Sequence, residues 1–149
     1  MVVPPAAWQG GPMRSWRSWF DRKIPQREIN LSDPQIATLQ RVGFWWSTQQ
    51  PNLPHPQNLV DQSWDVSERD RAITYLEECY HLTRICCGYS WCRFECGIAS
   101  SKMGNLECTD GVWLFPDGFI HYVRYHGVKP PEKFLMHMRK ANYTVRAIY

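Results

Sequence analysis

The run Leu106-Glu107-Cys108-Thr109-Asp110-Gly111-Val112-Trp113-Leu114-Phe115-Pro116 sets two short apolar stretches on either side of Asp-Gly. Asp-Gly between such stretches predicts a hairpin, because its turn needs positive φ angles that these residues tolerate. Pro116-Asp117 then predicts the opening of a helix, with the acid near the positive end of the helix dipole. Phe119, Ile120, Tyr122 and Val123 supply its buried side, Gly127 fits a left-handed C-cap, and Val128 fits the apolar contact that accompanies such a cap. Strand, turn, strand and helix in such quick succession require a domain that mixes α and β structure.

Periodicity extends this upstream. Asp65-Val66-Ser67-Glu68 opens the clearest helix, with Ser67 and Asp70 resembling a capping box and Ala72, Ile73, Leu76, Cys79 and Tyr80 on one face. Leu82 to Cys87 and Tyr89 to Phe94 read as two short strands separated by Gly88, or as one strand with a glycine bulge. Ile98 to Asn105 is the loop between the two pairs. Asp33-Pro34 starts a shorter helix, with Asp33 as cap, an apolar stripe of Ile36, Leu39 and Val42, and Gly43 at its end. Pro51, Pro54 and Pro56 exclude regular structure between Phe44 and Ser63, so a long loop is expected there. Pro130-Pro131-Glu132 begins a last helix with Phe134, Leu135 and Met138 facing inward. The expected class is α+β: a small antiparallel sheet of two hairpins with the helices packed on one side.

The 149 residues fit one domain with a continuous core, and 44% hydrophobic with 14% aromatic residues excludes a disordered chain. Residues 31–149 are read as that domain and residues 1–30 as an N-terminal arm rich in Trp and Arg. Met13, Trp16 and Phe20 share one helical face of the arm, beside Arg14 and Arg17. The arm packs on the domain, docks a partner, or resembles an organellar presequence. The net charge of +3 is concentrated in this arm, which disfavours a nucleic-acid-binding body. No stretch approaches the length of a membrane span, and no secretory signal is evident, so a cytoplasmic location with reduced thiols is expected.

Six cysteines and five histidines carry the sharpest chemical possibilities. Cys92-Arg93-Phe94-Glu95-Cys96 is a C-x3-C pair, with Cys87 before it and Cys108 after it, and zinc sites use such sets of thiolates. Along a regular strand, however, Cys92 and Cys96 would stand roughly 13 Å apart. A shared ion therefore requires the chain to turn at Phe94-Glu95, and buried reduced thiols are the simpler expectation. His121 and His126 are five apart, about 140° around a helix axis, so diverging rings and structural roles are expected of them. A catalytic grouping of His121, Cys108 and Asp110 has no supporting spacing, and no phosphate loop, nucleophile elbow or carboxylate pair occurs. No catalytic residue is assigned.

Trp91-Cys92-Arg93-Phe94-Glu95-Cys96-Gly97, Thr109-Asp110-Gly111-Val112-Trp113-Leu114-Phe115-Pro116-Asp117-Gly118 and His121-Tyr122-Val123 with His126-Gly127-Val128 resemble a pattern in short, uncharacterised bacterial proteins. That pattern runs C-R-x-C-G, then T-D-G-x-[YW]-x-[FW]-P-x-G, then H-Y-V-x-x-H-x-V-x-x-P. The resemblance covers under a third of the chain and implies a bacterial or phage context and a shared fold, without an activity. Here an extra residue separates the cysteines.

The expected function is a non-enzymatic module of immunity, inhibitor or adaptor type that contacts another protein through Trp16, Trp19, Trp45 and Trp46. Large aromatics outside regular elements make good anchors. The alternatives are a zinc-stabilised regulatory module using Cys92, Cys96 and Cys108 with Cys87, and a small enzyme around His121 and Cys108.

Overall fold

A computed structural model describes residues 27–85 and 88–148. The described residues form five strands and five helices around a single mixed sheet in the order β1-β3-β4-β5-β2. The strands are β1 (Glu28–Ile29), β2 (Gln40–Arg41), β3 (Tyr80–Ile85), β4 (Leu106–Thr109) and β5 (Trp113–Pro116). The helices are α1 (Asp33–Ala37), α2 (Val66–Glu77), α3 (Ser100–Met103), α4 (Phe119–His126) and α5 (Glu132–Lys140), with a 3-10 turn at Pro56–Leu59. None of these helices is long and apolar enough to cross a membrane.

The α+β class holds, but the expected sheet does not. Only its centre is antiparallel: β3 pairs with β4, and β4 with β5. The outer strands β1 and β2 run parallel to β3 and β5. The first expected hairpin is absent, because Tyr89 to Phe94 makes no strand and β3 takes β4 as its partner. β1 also lies inside the segment read as the arm. Leu114 and Phe115 point to opposite faces, as neighbours on a strand must. Phe115 joins the main core with residues of α2, α4 and α5, whereas Leu114 and Leu82 meet Ile36 of α1 in a second cluster. Helices therefore cover both faces.

Capping explains most boundaries. Ser32, not Asp33, caps α1: its hydroxyl accepts from Gln35 N–H while its own N–H donates to Gln35 Oε1 at 2.8 Å. That helix is short, so only Ile36 of the expected stripe lies in it, while Leu39 precedes β2 and Val42 follows it. Asp65 caps α2 through Glu68 N–H at 2.9 Å, in place of the expected Ser67 with Asp70. α4 begins at Phe119, because Pro116 is still the last residue of β5. It ends as expected, with Gly127 at φ 64° and Val128 N–H donating to Tyr122 carbonyl at 3.2 Å.

The β4–β5 connection is wider than a two-residue turn, since Thr109 pairs with Leu114 and only Gly111 has positive φ. Asp110 organises it from inside. Its Oδ1 accepts from Val112 N–H at 2.9 Å and Trp113 N–H at 2.7 Å. Its Oδ2 accepts from Tyr75 hydroxyl at 2.7 Å and lies 3.0 Å from His137 Nε2. One carboxylate thus joins α2, the turn and α5.

Two expectations follow from the scaffold. Gly104, at φ 75° and ψ 174°, adopts a conformation essentially limited to glycine, and a Cβ there would lie 2.1 Å from Asp117 Oδ2. Gly104→Ala is expected to lower unfolding free energy by about 2–4 kcal/mol in urea titration. Glu68 accepts from Arg139, Tyr143 and Trp64, and the Arg139 guanidinium foremost pushes its carboxyl down from 4.5 to about 2. A carboxyl depressed in the folded state stabilises above its unfolded value, and this is lost as pH falls from about 4.5 towards 2. Stability measured across that window should fall less steeply in Glu68→Gln than in the parent.

Candidate metal centre

Beyond β3 the chain leaves the sheet and crosses towards the C-terminal end of α4. Here Cys92-Arg93-Phe94-Glu95-Cys96-Gly97 folds into a tight reversal. Cys92 carbonyl accepts Glu95 N–H at 3.0 Å, and Glu95 and Gly97 follow at φ 50° and 84°. The turn at Phe94-Glu95 that a shared ion requires is therefore present, and it removes the separation that a regular strand would impose.

Three aromatic contacts hold this knuckle against α4. Tyr122 hydroxyl accepts Arg93 N–H at 3.0 Å and donates to Trp91 carbonyl at 3.2 Å. Phe94 stacks on the His126 ring at 4.4 Å and 15°. Trp45 packs on Tyr122 from the other side, with ring centroids 5.4 Å apart.

Four donors converge as a result. Cys92 Sγ lies 3.4 Å from His126 Nε2, Cys96 Sγ lies 3.4 Å from His121 Nε2, and the two Nε2 atoms are 3.1 Å apart. All four lie within 4.8 Å of one another. A tetrahedral zinc ion with bonds of about 2.3 Å to sulfur and about 2.05 Å to nitrogen implies S···N edges of about 3.6 Å and N···N edges of about 3.3 Å. The three contacts above are within a few tenths of an ångström of these values.

Burial pushes the protonation of His126 and His121 down, His121 to about 4 with the neighbouring His126 and Arg124 adding to the effect. Both rings are then neutral at neutral pH, the form that binds metals. Burial pushes the Cys92 thiol up in the absence of an ion. His121 Nδ1 is buried without a hydrogen-bond partner among the described residues. A carboxylate or carbonyl usually steadies that atom in a metal-bound histidine, and none of the described residues supplies it.

The expected metal set is corrected at one member, Cys108. Cys92 and Cys96 belong to the group. Cys108 does not: it sits on β4 opposite His81 and Phe115, buried in the core, and burial raises its thiol well above the usual range. Cys87 lies outside the described residues. His121 and His126, expected to diverge, instead meet. Their 140° separation describes where the side chains leave the helix, yet the two Nε2 atoms meet at 3.1 Å, and Phe94 stacks on the second ring. The signal was available in the spacing, since H-x4-H and C-x3-C both fall within zinc-finger ranges. The partner of the cysteine pair was a histidine pair.

His121 meets Cys96 and His126, and no contact between His121 and Cys108 is seen among the described residues. Asp110 serves the turn and α5 instead. Among the contact tryptophans, Trp45 is a core residue at 6% exposure, whereas Trp46 is 41% exposed. Trp45 is buried because Phe119 and Tyr122 offer it an aromatic bed. Trp16 and Trp19 lie outside the described residues.

Fold and site together define an α+β domain with two cysteines and two histidines gathered where a loop meets a helix C-terminus. No protein-family model matches the chain, and neither a curated protein nor a solved structure matches it.

Proposed function

We propose that this chain is a zinc-stabilised module in which Cys92, Cys96, His121 and His126 bind one ion. The observation that carries this is the convergence of four donors within 4.8 Å, with two S···N and one N···N distances close to the edges of a zinc tetrahedron. Four protein ligands leave no open position for substrate, so the ion is structural and catalysis is not its role. It would tie the knuckle to α4 at the point where Tyr122 and Phe94 already align them.

Native mass spectrometry of the full chain purified with zinc should find one zinc ion per chain. Cobalt in its place should show the visible absorption of a tetrahedral site with sulfur ligands. A bare polypeptide mass under zinc-replete conditions would sink the proposal.

A second role, contact with another protein, is favoured by the surface that the knuckle carries. Trp46, Tyr89 and Trp91 are 41%, 56% and 51% exposed. Arg93 links Trp46 and Trp91: its guanidinium lies 3.7 Å over the Trp91 ring, Nε donates to Trp46 carbonyl, and Nη1 donates to Ser90 Oγ. Exposed aromatics held by a rigid arginine resemble interface anchors. Pull-down from the native host with Trp46→Ala and Trp91→Ala tests it; equal recovery of the same proteins would count against this role.

A further inference from the structure

The two sulfurs of the metal centre differ in access. Cys92 is 4% exposed, whereas Cys96 faces solvent. Both belong to one short reversal, and their Sγ atoms lie within 4.8 Å of each other. From that distance, side-chain rotation and a small shift of the turn suffice to bring two sulfurs to bonding length. The other described thiols contrast with them. Cys79 and Cys108 are sealed in the core, where burial raises their thiols and leaves them inert.

We infer that Cys96 is an oxidation site, and that conversion of Cys92 and Cys96 to a disulfide by hydrogen peroxide empties the metal centre. This rests on the zinc reading above. The Cys96 thiolate attacks one peroxide oxygen; an S–O bond forms, the O–O bond breaks, and hydroxide leaves. Sulfur is oxidised by two electrons and peroxide is reduced. The Cys92 thiolate then attacks the Cys96 sulfur, so that the S–S bond forms as the S–O bond breaks and a second hydroxide leaves. Solvent protons convert both hydroxides to water. With two of four ligands lost, the remaining histidine pair holds zinc too weakly to keep it.

The order of attack follows from exposure: Cys96 meets the oxidant and buried Cys92 resolves it. The helices and sheet should outlast the change, because most of the main core is built from residues of α2, α4, α5 and the sheet. A reductant with added zinc should therefore restore the centre.

The test treats the zinc-loaded full chain with hydrogen peroxide, follows free zinc with a chromogenic chelator, and maps disulfides by mass spectrometry. One zinc should leave for each Cys92–Cys96 disulfide formed, and zinc should rebind after reduction. Cys96→His keeps four donors but removes the second thiol, so its zinc should leave about tenfold more slowly or not at all. Should that variant fail to fold, disulfide mapping on the parent protein decides alone. Zinc retained by the parent, or released without a Cys92–Cys96 disulfide, overturns the inference while leaving the zinc reading intact. A chain that carries no zinc at the outset overturns both.

Discussion

Asp110→Ala is expected to lower the free energy of unfolding by about 3–5 kcal/mol, the range for removing one partner from a buried charged network. The Asp110 side chain is 1% exposed, and its loss would strand the Tyr75 hydroxyl and the N–H groups of Val112 and Trp113. His137 would lose its acceptor as well, so α5 would separate more readily from the β4–β5 turn. Asp110→Asn keeps the volume and one acceptor oxygen, and should cost less than Ala. Urea unfolding of the three proteins checks the order. An alanine variant within about 0.5 kcal/mol of the parent, the usual range for a surface change, would show that the network does not bind these elements together.

Removal of zinc is the second large effect expected. A ligand that binds only the folded state stabilises it by about 4 kcal/mol at a thousand times its dissociation constant. A chelator should therefore lower the melting temperature by roughly 8–16 °C, at about 2–4 °C for each kcal/mol in a domain of about 150 residues. The loss should be local at first. The core of α2, α4, α5 and the sheet does not depend on the ion, so circular dichroism should retain most of its helix signal. Residues 88–99 should become the first site of protease cleavage, because they contain no strand or helix of their own. Cys92→Ser and His126→Ala should reproduce the chelator effect and become insensitive to added zinc. If the chelator changes neither melting temperature nor cleavage, the ion does not hold the knuckle.

The two expectations contrast in how visible their causes are before folding. Asp110 can be recognised in sequence as a turn residue, and the turn is there. Its bonds to Tyr75 and His137 cannot be read along the chain, since they join residues 35 and 27 positions away. The metal centre shows the same division. Cys92 and Cys96 are legible as a pair, but a pair alone cannot separate a strand from a reversal. Glu95 at φ 50° and the Phe94–His126 stack settle that, and both depend on α4 being alongside.

What the sequence determined by itself is local. Period, caps and turn residues specify α2, α4 and α5, the β4–β5 connection and the Gly127 terminus, because each rests on interactions between near neighbours. Tertiary structure alone decided which strands pair. Two-residue strands such as β1 and β2 carry too little pattern to be recognised, and they form only because β3 and β5 present open edges. It also decided where the aromatic and metal-binding side chains point. Trp45 and Trp46 are adjacent in sequence, yet one fills the core and the other meets solvent. Cys92, Cys96, His121 and His126 form a site because a loop and a helix end are pressed together by Tyr122, Phe94 and Trp45. Convergence of this kind is a property of packing between distant segments, and no periodicity within either segment encodes it.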